Sequence, residues 1–170
     1  FELVHLGDLK VYRNRSALER AMIAYNYTIS PNLTDTIRTL RSGVAERVVL
    51  DQDPGFPNPM EIYPIQSARI ESYQPERIRI AAEAERDGLL VVSDAWYPGW
   101  RAYVDGREQP ILLVNHALRG VKLTPGAHVV ELVYEPAPLE VGLQLAVGGL
   151  AAVMTIFVGS LLLACYPVRR

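Results

Sequence analysis

From Val141 to Tyr166 the chain runs 26 consecutive residues without an Asp, Glu, Lys, Arg or His, and no other feature constrains its fold as strongly. A bilayer core is about 30 Å thick and a helix rises about 1.5 Å per residue, so about 20 apolar residues suffice to cross it. The run predicts a single C-terminal transmembrane helix over 139–166, bounded by Glu140 on one side and by Arg169 and Arg170 on the other. Lys and Arg beside a span favour the cytoplasm. That rule predicts a cytoplasmic tail at 167–170 and an extracytoplasmic domain at 1–138. The chain opens at Phe1 without a signal-peptide pattern, so the expectation is the tail of a longer, multi-pass parent in the cell membrane. Its partners would then be the lipid bilayer and the other transmembrane helices of that parent. Gly142 with Ala146, and Gly148 with Ala152, place small residues four apart, a spacing that admits close helix approach.

Up to Pro138 the chain holds 15 Lys and Arg against 18 Asp and Glu, because Glu140, Arg169 and Arg170 lie beyond it. That balance forms no basic patch and argues against nucleic acid as a partner. The only cysteine, Cys165, sits at the far end of the apolar run. The preceding domain therefore has no disulfide, thiol nucleophile or thiolate ligand, and must be held by packing. His5, His116 and His128 are widely spaced, with no pair at i, i+4. They give no metal-site pattern, and no cofactor is expected.

Strand signals dominate from Ala68 onward. Ala68–Tyr73, Arg77–Ala84 and Gly88–Ala95 are runs with alternation or β-branched residues, separated by polar turns. Arg77-Ile78-Arg79-Ile80 alternates strictly, as a strand with one wet face does, whereas Leu89-Leu90-Val91-Val92 reads as a strand covered on both faces. Asp105-Gly106 predicts a tight hairpin between Arg101–Val104 and Glu108–Val114. Pro125-Gly126 predicts another between Val121–Leu123 and His128–Glu135. Earlier strands are expected at Leu9–Tyr12, Ala21–Tyr27 and Arg47–Leu50. One helix is expected after Asn32 or Thr34, with Ile37 and Leu40 on one face and Gly43 closing it. Pro54, Pro57, Pro59 and Pro64 make 51–64 an extended loop. The fold class that follows is mainly β: a β-sandwich, jelly-roll or immunoglobulin-like, with one short helix and the C-terminal transmembrane helix.

The densest chemistry lies between Ser93 and Gly106, which holds both tryptophans. Aromatic faces stack on sugar C–H surfaces and a carboxylate accepts hydroxyl hydrogen bonds. Asp94, Trp96, Tyr97, Trp100 and Tyr103 are therefore candidate saccharide contacts, against the plainer reading that the tryptophans fill the core. Asp94 and Asp105 are the carboxylates of this segment, and Asp105 is already explained by its turn, so no glycosidase pair and no catalytic residue is assigned. Arg119 follows a polar interruption, Asn115 to Gly120, that suggests a bend or bulge. It could contact an anion such as a phosphate, or pair with a carboxylate beneath the loop. N-x-S/T patterns occur at Asn14, Asn26 and Asn32.

Taken together, Asp87-Gly88-Leu89-Leu90-Val91-Val92-Ser93-Asp94, Tyr97-Pro98-Gly99-Trp100, Tyr103-Val104-Asp105-Gly106, Asn115, Arg119-Gly120-Val121 and Pro125-Gly126 resemble the C-terminal region of bacterial YfhO-type membrane proteins. Val11-Tyr12-Arg13-Asn14 resembles the start of the same domain, although no proline lies between Leu18 and Ala21 as the pattern would have. The resemblance covers most of Lys10 to Pro136. It implies a polytopic protein similar to glycosyltransferases of the cell envelope that use polyprenyl-phosphate sugars, with the catalytic residues upstream. This segment would be its non-catalytic extracytoplasmic accessory domain, with envelope glycans or a polyprenyl-linked sugar as partners. The alternative is a membrane-anchored carbohydrate-binding or structural β-sandwich module without an enzymatic parent.

Overall fold

The computed structural model describes residues 1–15, 17–42 and 47–165. The chain divides into two compact units, Phe1–Tyr134 and Glu135–Arg170. In the first, β1 (Glu2–Leu6) and β2 (Lys10–Arg13) form a separate hairpin. The remaining strands form two larger sheets. The five-stranded sheet has the order β11 (Arg107–Gln109), β10 (Trp100–Val104), β14 (Gly126–Tyr134), β8 (Arg77–Ala84) and β7 (Arg69–Tyr73). The seven-stranded sheet has the order β4 (Asn26–Ile29), β5 (Arg47–Leu50), β12 (Ile111–Val114), β13 (Leu118–Leu123), β9 (Gly88–Ala95), β3 (Ala21–Ala24) and β6 (Gln66–Ser67). β4 and β5 run parallel, which departs from the antiparallel sheets of an immunoglobulin-like sandwich.

The two sheets face each other across one core. β8 contributes Ile78, Ile80, Ala82 and Ala84, β14 contributes Val130 and Leu132, and β10 contributes Ala102. Opposite them stand Ala21 and Ile23 of β3, Leu90 and Val92 of β9, and Val121 and Leu123 of β13. The alternation read from Arg77 onward is what sends every second β8 side chain inward. Each fully buried aliphatic side chain contributes about 1.5–3 kcal/mol.

A second core lies on the other face of the seven-stranded sheet. Met22, Ala24, Leu89, Val91, Leu112 and Val114 pack there with Tyr27, Val48, Leu50 and Phe56. Its cover is the proline-rich loop 51–64. Prolines supply no N–H, so the loop is fastened by side chains: the Asn26 Nδ2 donates to the Glu61 carbonyl at 2.8 Å and its Oδ1 accepts from Tyr63 N at 2.8 Å. The Tyr27 hydroxyl donates to the Phe56 carbonyl at 2.6 Å. Asn26 is 2 % exposed, so its N-x-S/T pattern is consumed by the fold.

Turn chemistry accounts for the connections. Asp105 (φ 51°) and Gly106 (φ 79°) make the expected tight turn between β10 and β11. Pro110 then ends β11, and the chain crosses to the other sheet as β12, so Glu108–Val114 is two strands and not one. Asn115 (φ 51°) and His116 (φ 61°) form a second turn of the same kind between β12 and β13, where a bend was expected. β13 and β14 lie in different sheets. Pro125-Gly126, with Gly126 at φ 127°, is thus an arch over the core and not a hairpin turn, because the inward alternation of both strands is satisfied only when they oppose each other. The helix α1 (Leu33–Arg41) is capped by Asn32, whose side chain accepts from Asp35 N at 2.9 Å, and ends at Ser42; Gly43 lies outside the described residues.

The expectation of a C-terminal transmembrane helix over 139–166 is overturned: among the described residues no helix is long and apolar enough to cross a membrane. The helix α2 (Ala137–Cys165) has 29 residues. Residues 166–170, which carry Arg169 and Arg170, lie outside the described residues.

The close approach of β12 to β13 sets a test. A Cβ at Gly120 would stand 2.4 Å from Val114 Cγ2, so Gly120→Ala should destabilise the domain by about 1–3 kcal/mol through overpacking. Adding Val114→Ala should restore part of the loss, which chemical denaturation of the single and double variants will show as a non-additive effect.

Candidate functional site

The open end of the sandwich where β9 and β13 meet concentrates the charged and aromatic side chains. The register between these strands skips Ser93 and Asp94: Val92 lies opposite Arg119, and Ala95 opposite Leu118. Such a bulge re-aims side chains at a sheet edge. Asp94 here accepts from the Tyr73 hydroxyl at 3.1 Å. It is flanked by Arg119 Nη2 at 3.7 Å and Arg20 Nη1 at 3.8 Å.

Arg119 shares the inward face of β13 with Val121 and Leu123 and is 5 % exposed. Its Nε donates to the Ala95 carbonyl at 3.1 Å, and its guanidinium lies 3.9 Å from the Trp100 ring centroid. Nη1 is buried without a hydrogen-bond partner among the described residues. Burial lowers the Arg119 pKa from its usual value, opposed by Asp94 and Tyr73. Arg20 stacks over Tyr73 at 4.7 Å. Trp100 packs against the core and against Tyr134, ring centroids 5.4 Å apart, and Tyr97 stands 6.5 Å from Tyr134. Tyr97 is 62 % exposed. The result is an aromatic rim over a base in which two arginines share one carboxylate, leaving one positive charge in excess.

Of the residues singled out from the sequence, Asp94, Tyr97, Trp100 and Arg119 come together. Trp96 and Tyr103 stand apart. Trp96 is exposed, and its ring takes part in no aromatic or cation contact among the described residues. Tyr103 faces away from the core, level with Glu108 and Glu131 on neighbouring strands. The cluster also includes Arg20, Tyr73 and Tyr134, which sequence reasoning missed; each ends or precedes a strand, and only the pairing of distant strands brings it here.

At the opposite end, Asp105 Oδ1 accepts from Val129 N at 2.9 Å and Oδ2 lies 2.7 Å from His128 Nδ1. His128 Nε2 is 2.9 Å from the Thr124 carbonyl and 3.3 Å from the Thr124 hydroxyl. The Thr-His-Asp order mimics a nucleophile triad. A carbonyl only accepts, however, so Nε2 donates to it and cannot also take the hydroxyl proton. This group clasps the β10–β11 turn to the β13–β14 arch. Asp94 and Asp105 thus serve opposite ends of the domain and cannot flank one glycosidic bond. No group of three or more His, Cys, Asp or Glu side chains that could hold a metal occurs among the described residues.

Residues 50–146 match the family model described as bacterial membrane protein YfhO, more than half of the chain, and the chain belongs to that family. No curated protein and no solved structure matches it. The matched residues include Tyr73, Asp94, Tyr97, Trp100, Arg119 and Tyr134 and leave out Arg20 and the Val11–Asn14 segment.

The clasp has a pH signature. The backbone N–H of Val129 and the side chain of His128 hold the Asp105 carboxyl below its usual 3.8. A depressed folded-state pKa gives stability that is present above the unfolded value and lost as pH falls through the folded one. Asp105→Asn should therefore lose less stability than the wild type as pH drops below about 4, measured by urea denaturation at stepped pH. Equal losses in both would contradict the clasp.

Proposed function

We propose that this chain is the non-catalytic extracytoplasmic accessory domain of a polytopic membrane protein that modifies cell-envelope glycans with polyprenyl-phosphate sugars. On this reading the Trp100–Arg119 end is its glycan contact. The observation that carries it is the aromatic rim, exposed Tyr97 with half-buried Tyr134 and Trp100, over a base with one cation in excess. Aromatic rings offer faces to sugar rings, and arginine forks suit a uronate or phosphate. Membership of a membrane-protein family supports a place in the envelope, and the resemblance to envelope glycosyltransferases supports the kind of parent. The separation of Asp94 from Asp105 supports an accessory role for this segment, with the chemistry elsewhere.

A purely structural reading is favoured by one observation: Trp100 packs against the core and its face is taken by Arg119. Tyr97 separates the two readings, because its ring is exposed and, among the described residues, its one ring contact is Tyr134 at 6.5 Å. Tyr97→Ala should leave stability within about 0.5 kcal/mol. It should weaken binding of an acidic oligosaccharide about fivefold, the loss of about 1 kcal/mol of stacking. Unchanged affinity in calorimetric titration, or no binding by the wild type, would favour the structural reading.

The side of the membrane is tested separately. With Cys165→Ser as background, Glu76→Cys on an exposed turn should react with an impermeant thiol reagent in intact cells. Protection until the cells are opened would place the domain inside.

A further inference from the structure

The helix α1 leaves its apolar face partly uncovered. Leu33, Ile37 and Leu40 follow the i, i+4, i+7 spacing of one helical face, yet they are 49 %, 40 % and 41 % exposed. The buried residue of α1 is Thr36, at 2 %, whose hydroxyl donates to the Asn32 carbonyl at 3.0 Å. At about 100° per residue Thr36 lies beside Leu40, so α1 buries one flank of its apolar face and leaves the rest open. Ile37 also lines a shallow depression of about 270 Å³ with Thr34, Arg38 and Arg41. The apolar face is thus bordered by the two basic residues of the last turn. Arg38 is paired with Asp35 at 2.7 Å, and Arg41 forms no ion pair among the described residues.

Exposed aliphatic side chains beside arginines are the pattern of a helix lying in a membrane interface. The apolar face enters the boundary between headgroups and acyl chains, and the arginine stems extend to the phosphates. The family to which the chain belongs puts a bilayer within its reach. We propose that α1 is an interfacial docking helix that lays Leu33, Ile37 and Leu40 on an anionic lipid surface, with Arg41 and Arg38 on its phosphates. This holds whether or not the Trp100–Arg119 end binds glycans.

The test uses the full chain in phosphatidylcholine vesicles with and without phosphatidylglycerol, Cys165→Ser as background, and an environment-sensitive fluorophore on Ile37→Cys. Emission from position 37 should shift to the blue and be quenched by brominated acyl chains, whereas the same fluorophore on Glu76→Cys should show neither change. Arg38→Glu together with Arg41→Glu should cut the response by at least about fivefold in phosphatidylglycerol vesicles, the effect expected for even one basic residue near an anionic surface. Leu40→Cys, on the same face, serves as a second reporter if the first variant folds poorly. Absence of quenching at both positions would overturn the proposal. So would a fluorophore that is shielded but unquenched by lipid and sensitive to protein density, which would mark the face as a protein interface.

Discussion

Everything in the domain depends on β9 being buried on both faces. Leu90 and Val92 point into the core between the sheets, while Leu89 and Val91 point into the core beneath the 51–64 loop, and none of the four is measurably exposed. A strand with no wet face must be paired along both edges, since an orphan N–H or C=O in that position has no water to turn to. β3 and β13 supply those pairings. The second core explains why a loop with so many prolines is ordered: it covers Phe56 and Tyr27, and Asn26 and Asn58 satisfy the backbone that prolines and turns cannot.

The fold was legible in the sequence where periodicity was strong and connections were local. The alternation of Arg77–Ala84 and the apolar run of Gly88–Ala95 marked their strands, and Asp105-Gly106 marked its turn, because these signals are written in adjacent residues. Sheet membership was not legible. Whether Pro125-Gly126 closes a hairpin or arches between sheets depends on which strands the flanking segments pair with, and that choice is made by β8 and β9 far back in the chain. Likewise Asn115-His116 is a tight turn because Asn115 also holds Val49, accepting from its N–H at 2.8 Å, a contact no local pattern announces. At the C-terminus, the uncharged run marked the long helix α2, and among the described residues no helix is long and apolar enough to cross a membrane.

The charged end shows the same division. Asp94, Tyr97, Trp100 and Arg119 stood out by residue type, whereas Arg20, Tyr73 and Tyr134 join them only through the pairing of distant strands. Trp96 and Tyr103 share the same aromatic-rich segment and lie elsewhere: Trp96 follows the end of β9, and Tyr103 is an odd number of residues from Trp100 along β10, so it faces the other side of the sheet. Arg119 is the residue that holds this end together. A buried guanidinium is costly unless compensated. Here the compensation is spread over the Ala95 carbonyl, the Trp100 ring and a carboxylate at 3.7 Å. The carboxylate is shared with a second arginine, which leaves the site electrostatically receptive to an anion.

The most direct test of that account is a map of where an acidic sugar acts on the protein. On adding oligogalacturonate to the isotopically labelled full chain, chemical shifts should move at the Trp100 indole N–H, the Arg119 Nε–H and the amides from Ala95 to Tyr97. A neutral glucan of the same length should move them less. Shifts confined to the Asp105–His128 end, or none with either sugar, would contradict it.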